Sequence, residues 1–314
     1  MKSLQEKRVL VTGASGFVGS HLSRVLYAEG ARVVGFVRER TTRKEYLIDQ
    51  HVLDMSDRVR VRQLVQEVHP ELVVHLAASK NRTIDQAEYR SGYDANLFGT
   101  LNLIEACREL NHLVRFMFLG SCEEYGYQPT PFDESVRESP VSVYGVTKLA
   151  VTQLLQTLAR AKGFPAVILR PSIVYGPGQT AEMFLPALIQ TLLKGERFAM
   201  SQGTQTRDFV YVDDLVNAIV LALNAPGIQG QVINVSSAIP IRIDDLARKA
   251  ARLIAPNAEK LLDFGSRPCR PGEAMNYWAK NLRAETLLGW EPHISLEDGL
   301  LQTIAYFRAT TSAG

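Results

Sequence analysis

Short apolar runs alternate with longer stretches of helical spacing through the first half of the chain. "RVLVTG", "ARVVGFV", "LVVHLAA", "RFMFLGS" and "PAVILRPS" are rich in β-branched residues and are closed by small or turn-forming residues. Between them, "FVGSHLSRVLYAEG", "SDRVRVRQLVQEV" and "ANLFGTLNLIEACREL" gather apolar residues on one helical face. Near-continuous apolar strands separated by amphipathic helices predict an α/β fold. Its core is a Rossmann-like, doubly wound parallel sheet covered on both faces.

From Tyr175 the rhythm loosens. "YGPGQT" reads as a turn, "MFLPALIQTLLKGE" as a helix, "FVYVDDLVNAIVLALNA" as a strand entering a helix, and "GQVINVSS" as one more core strand. A helix over 243–255, the Pro- and Arg-rich "SRPCRPGEAM" and a helix after "GWEPHISLEDG" complete the chain. The expected division is a dinucleotide-binding domain over 1–172 and 208–237, and a smaller C-terminal α/β lobe over 173–207 and 238–314.

Composition narrows the class. With 314 residues and 46% hydrophobic content, a large core is within reach. A net charge of +2 gives no drive toward nucleic acid or a membrane surface. The three cysteines, Cys107, Cys122 and Cys269, are far apart and odd in number, which argues against a disulfide framework. "MKSLQEKRVLVTG" is too short in its apolar run for a signal-peptide core, and no stretch approaches the roughly 20 apolar residues of a membrane helix. A cytoplasmic protein is expected, with neither nucleic acid nor membrane as partner.

Candidate chemistry begins at "VLVTGASGFVGSHL", where a strand ends and a helix opens. Gly13, Gly16 and Gly19, with Ser15, Phe17 and Val18 between them, suit a pyrophosphate resting on a helix N-terminus. The spacing is GxxGxxG rather than GxGxxG, and a lone triplet of this kind equally serves a tight turn. Its place in the first β–α unit favours the dinucleotide. About 20 residues on, where an NAD site carries an acid, stands Val37, followed by Arg38, Arg40 and Arg43. Guanidinium beside an uncharged residue suits a 2′-phosphate, so NADP is expected, with NAD the alternative. Asp54 and Met55, after the third strand, are placed at the adenine, and the small Ala77 and Ala78 under the cofactor backbone.

"SVYGVTK" sets Tyr144 and Lys148 four apart, on one face of a helix. A free phenol, with a pKa of about 10, is a poor base at neutral pH. A neighbouring ammonium favours the phenolate, so that Tyr144 can exchange a proton with a substrate oxygen while a nicotinamide exchanges hydride at the attached carbon. No HxxxH, HExxH or paired-cysteine spacing is present, and no metal is expected. His75 is taken as a core residue at a strand end.

"TGASGFVGSHL", "HLAAS", "GSCEEYG", "YGVTK", "RPSIVYGPG" and "TQTRDFVYVDDL" occur in the order of the extended short-chain dehydrogenases/reductases, and the chain resembles that family over nearly its whole length. The family includes NAD(P)-dependent nucleotide-sugar epimerases, dehydratases and 4-ketoreductases. The resemblance implies Tyr144 as acid/base and Lys148 as ribose ligand and tuner of the tyrosine. It also implies Ser121 as hydrogen-bond partner of the reacting oxygen and Asn96 as support near the cofactor. Ser79, Glu123, Arg207 and Arg270 are implied on the substrate side, the two arginines on its diphosphate. Ile173 stands where sugar-nucleotide members usually carry Asn. A homodimer through the helices near 97–110 and 144–161 is implied as well.

"GSCEEYG" leaves the reaction open. Dehydratases resemble it but carry an acid–base pair directly after the Ser/Thr, where this chain has Cys122 and Glu123. The GDP-4-keto-6-deoxymannose reductases resemble it most, with Cys122 then a packing residue and Glu123 a substrate acceptor. A 4-keto-6-deoxyhexose reductase is expected first, with 4-epimerase or dehydratase as the alternative and a non-catalytic dinucleotide-binding scaffold as a minor one.

Overall fold

The computed structural model of the chain describes residues 4–40, 46–79, 86–269 and 273–311. Its first half carries strands β1 (Arg8–Thr12), β2 (Arg32–Val37), β3 (Asp49–Val52), β4 (Leu72–His75), β5 (Arg115–Leu119) and β6 (Ala166–Pro171). Helices α1 (Phe17–Ala28), α2 (Arg58–Val68), α3 (Gln86–Tyr93), α4 (Gly99–Arg108) and α5 (Val143–Lys162) lie between them. The second half adds short strands β7 (Ile173–Tyr175), β8 (Phe198–Met200), β9 (Thr206–Arg207), β10 (Phe209–Tyr211), β11 (Val232–Val235), β12 (Ile241–Arg242), β13 (Leu262–Phe264) and β14 (Asn276–Tyr277). Its helices are α6 (Phe184–Leu193), α7 (Val212–Asn224), α8 (Ile243–Ile254), α9 (Leu282–Leu288) and α10 (Leu296–Thr311).

Seven strands form one parallel sheet in the order β11-β6-β5-β4-β1-β2-β3. Strands β4 and β6 are buried along their whole length, as two-sided helical cover requires. On one face Leu22 and Leu26 of α1 meet Leu215 and Ile219 of α7. On the other, Leu64 of α2, Leu103 of α4 and Leu155 of α5 close the second layer. The strand order runs outward in both directions from the β1–β4 boundary. There the carboxyl ends part and leave the crevice in which such sheets hold ligands.

The later elements build smaller units beside that crevice. β7 pairs with β10, β8 with β13, and β9 sits between β12 and β14. Leu188, Leu192, Leu246 and Ala250 of α6 and α8 supply a separate core for them. The single helix expected across "ANLFGTLNLIEACREL" is interrupted: a π turn over Asp94–Phe98 precedes α4. Such insertions are frequent at functional sites. Among the described residues, no helix is long and apolar enough to cross a membrane.

Candidate active site

The glycine turn forms as its spacing requires. Gly13 has φ +70°, a left-handed conformation that side chains disfavour. A Cβ on Gly19 would stand 2.1 Å from the Gly13 carbonyl oxygen, so the helix can approach the strand end only without one. Gly16 is the N-cap of α1 and puts no side chain on the first amides. Those amides and the helix dipole therefore face the crevice as an anion cradle, which fits a dinucleotide pyrophosphate. Ser15 is exposed, and Phe17 and Val18 are half-buried against the second-lobe core. Arg38 is exposed just past β2, whereas Val37 is buried. Asp54 is also exposed; it accepts the Ser56 amide at 2.9 Å, which holds its carboxyl below the usual range. Met55, Ala77, Ala78 and Ser79 are half-buried.

Tyr144 and Lys148 lie in the first turns of α5. Ser142 caps that helix, its hydroxyl accepting the Gly145 amide at 3.0 Å. Lys148 is buried; its ammonium donates to the Leu119 carbonyl at 2.7 Å, at the end of β5, and stands 4.5 Å from the Phe118 ring centre. Burial brings its pKa down to about 8, with the Glu124 charge opposing the fall. The amine is thus still mostly charged at neutral pH. Asn96, in the π turn, is buried and clasps Ser79 from both sides. Its carbonyl oxygen accepts the Ser79 amide at 2.6 Å, and its NH2 donates to the Ser79 carbonyl at 3.0 Å and to Thr147 Oγ1 at 3.2 Å.

In the turn after β5, Cys122 is fully buried among Tyr125, Phe132 and Ala279, its thiol against the Arg170 carbonyl at 3.4 Å. Burial pushes the thiol well up. An enclosed, protonated thiol of this kind suits the packing role better than the acid role. Glu123 is half-buried and accepts the Ser142 hydroxyl at 3.0 Å, tying the turn to the start of α5. A Cβ on Gly145 would come 2.7 Å from the Glu123 carbonyl, so glycine there lets the two segments close. Ser121 caps the turn: its hydroxyl accepts the Glu123 amide at 3.1 Å, and Glu124 accepts the Ser121 amide at 2.9 Å.

Glu124 was not among the expected site residues. Its carboxylate is fully buried and accepts two hydrogen bonds from Arg170, at 2.9 and 2.6 Å. Arg170 reaches Glu138 as well, at 2.7 Å, and lies over the Tyr125 ring. The Ser-x-x-Glu capping box was visible in "SCEE" and was the signal available for Glu124. The partner, 46 residues away, had none.

Of the residues expected on the substrate side, Arg207 sits on β9 and pairs with Glu273 at 2.7 Å. The acids nearest to it in sequence are engaged elsewhere. Asp208 is buried and accepts from Ser172, Ser236 and Ser237, and Asp213 faces His21 at 3.0 Å. Ile173 opens β7 and is half-buried. Arg43 and Arg270 lie outside the described residues.

Comparison with known proteins fits this arrangement. A model described as "NAD dependent epimerase/dehydratase family" matches residues 9–236. A UDP-glucose 4-epimerase of Mycolicibacterium smegmatis is 32% identical over 96% of this chain and 98% of its own. The UDP-glucose 4-epimerase of Thermotoga maritima, solved with UDP-glucose, superposes with a TM-score of 0.89 at 28% identity, covering 97% of this chain and 99% of its own. The UDP-glucuronic acid 4-epimerase of Bacillus cereus, solved with UDP-glucuronic acid and NAD, gives 0.86 at 30% identity, over 96% and 99%. These likenesses are to 4-epimerases, the alternative, rather than to the 4-ketoreductase expected first. Of the two dinucleotides expected, NAD is the one the family description and the B. cereus complex carry. This chain belongs to the NAD-dependent epimerase/dehydratase family, the nucleotide-sugar enzymes of the extended short-chain dehydrogenase/reductase type.

Proposed function

We propose that the protein is an NAD-using 4-epimerase of a nucleoside-diphosphate sugar. The observation that carries this is the Tyr144–Lys148 pair, set on α5 beside a glycine cradle, in a chain whose likeness is to UDP-sugar 4-epimerases. Bound NAD supplies a reversible acceptor for the hydrogen on C4. Tyr144 takes the C4 hydroxyl proton and returns it after the sugar has turned its other face; Lys148 offsets the phenolate charge meanwhile. Ser121 hydrogen-bonds the C4 oxygen, and Glu123 accepts from a sugar hydroxyl. Gly13, Gly16 and Gly19 hold the pyrophosphate of NAD, with Asp54 and Met55 toward its adenine. Arg207 and Arg270 neutralise the sugar-nucleotide diphosphate, so residues 173–207 and 238–314 serve as the substrate lobe. Two copies pair through α4 and α5, beside the exposed Phe98 and Val146.

The burial of Cys122 supports epimerisation over dehydration, because Glu123 is then left without an accessible companion acid in the turn, Glu124 being enclosed against Arg170. Proton NMR of the purified protein with UDP-glucose and with UDP-glucuronate tests the proposal. The expected result is the C4 epimer with no net change in dinucleotide absorbance. Stoichiometric NADPH consumption on a 4-keto sugar nucleotide, without epimerisation, would instead establish the reductase.

A further inference from the structure

His75 closes β4 beneath the site, fully enclosed and flanked by the Phe116 and Phe118 rings. Each of its ring nitrogens meets a threonine hydroxyl: Nδ1 lies 2.6 Å from Thr12 Oγ1 and Nε2 lies 2.8 Å from Thr100 Oγ1. The proton positions follow from the neighbours. Thr100 gives its only hydroxyl proton to the main-chain carbonyl of Asn96 at 2.5 Å, so it must accept from His75 Nε2–H. Thr12 accepts the Ala77 amide at 3.2 Å and gives its own proton to Nδ1. Burial, reinforced by the Lys148 charge, lowers the His75 pKa to about 3, so the ring is neutral as this scheme requires.

The chain of bonds does not end there. Asn96 passes it to Ser79 and Thr147, and Thr147 donates to the Tyr144 carbonyl at 2.9 Å. From the Ala77 amide to the Tyr144 carbonyl, each hydroxyl accepts one bond and donates one. The 77–79 segment is thereby fastened at one end to β1 and at the other to the π turn, which also bears on the first turn of α5.

We propose that His75, held as the Nε2–H tautomer between Thr12 and Thr100, is a positioning residue for Tyr144. It touches neither substrate nor cofactor. Through Thr100 it fixes the main chain at Asn96, and through the Asn96 side-chain amide and Thr147 the height of Tyr144 over Lys148. This rests on Tyr144 being the acid/base of the proposed epimerase, so the test includes readouts that need no substrate.

Thr100→Val keeps the shape and removes the hydroxyl; Thr100→Ser keeps the hydroxyl and removes the methyl. In the NAD complex without sugar, Tyr144 is titrated by its tyrosinate absorbance, with Tyr144→Phe in each background as the blank. Thr100→Val is expected to titrate at higher pH than wild type, and Thr100→Ser to match wild type. On UDP-glucose, Thr100→Val is expected to lose about ten-fold in kcat while KM holds within about two-fold, and Thr100→Ser to recover the loss. Nitrogen-15 NMR is expected to show His75 as neutral Nε2–H. A wild-type Tyr144 titration in Thr100→Val, whatever its melting temperature, would overturn the proposal, and so would an Nδ1–H tautomer. If the wild type turns over no UDP-sugar, the epimerase assignment fails, while the titration and the tautomer still decide the role of His75.

Discussion

The Lys148 ammonium stands 5.7 Å from the centre of the Tyr144 ring, four residues earlier on the same helix. The carbonyl of Leu119 holds it there from below. Tyr144→Phe removes the hydroxyl proposed to exchange the proton and leaves this frame intact. A loss of about 10²- to 10⁴-fold in kcat is expected, with the Kd for NAD little changed. Near-normal turnover would contradict the acid/base role.

Lys148 also marks stability. Its folded pKa, about 8, lies below the ordinary lysine value of 10.5. Between those limits the unfolded chain binds the proton that the folded chain has released, so stability contributed at this site rises with pH across that window. Below it, burying the charge is a fixed penalty. Urea unfolding of wild type and Lys148→Met from pH 7 to 10 should show the wild type gaining on the variant as pH rises above about 8. A constant difference would place the amine in a solvated environment.

Glu124 and Arg170 form an ion pair with both side chains fully enclosed. Arg170→Met strands a buried carboxylate, and a destabilisation of about 3–5 kcal/mol is expected in urea. Adding Glu124→Gln should restore a substantial part, because the fully buried charge is then gone and Glu138, the other carboxylate Arg170 releases, is partly exposed. Additive losses in the double variant would show that the two side chains act independently.

Arg38 is exposed beyond β2. With NAD as cofactor it meets no 2′-phosphate, and an exposed charge of this kind contributes little. Calorimetry of Arg38→Ala should find the Kd for NAD changed by less than about two-fold. A wild-type protein that binds NADP more tightly than NAD, and loses that preference in Arg38→Ala, would restore the phosphate site expected from the arginine run.

Local features were legible in the sequence. The glycine triplet, the Tyr144–Lys148 pair and the alternation of strands and helices each depend on spacings of a few residues, and each is found where expected. What joins distant segments was not. Glu124 finds Arg170 across 46 residues, and Arg207 passes over the adjacent Asp208 for Glu273, 66 residues away. His75 reads as core from its place in "VVHLAA" and is buried at the end of β4; only the fold brings Thr12 and Thr100 to its two nitrogens. Cys122 admitted two roles in the sequence, and its depth in the turn, which only the fold shows, is what favours packing.

The most direct measurement follows the hydrogen on C4. UDP-glucose carrying deuterium at C4 is incubated with the protein and NAD, and the product is examined by proton and deuterium NMR. The expected result is the C4 epimer with its deuterium retained at C4 and no dinucleotide reduced in net. Deuterium lost from C4 to solvent, or inversion in the Tyr144→Phe variant at the wild-type rate, would contradict it.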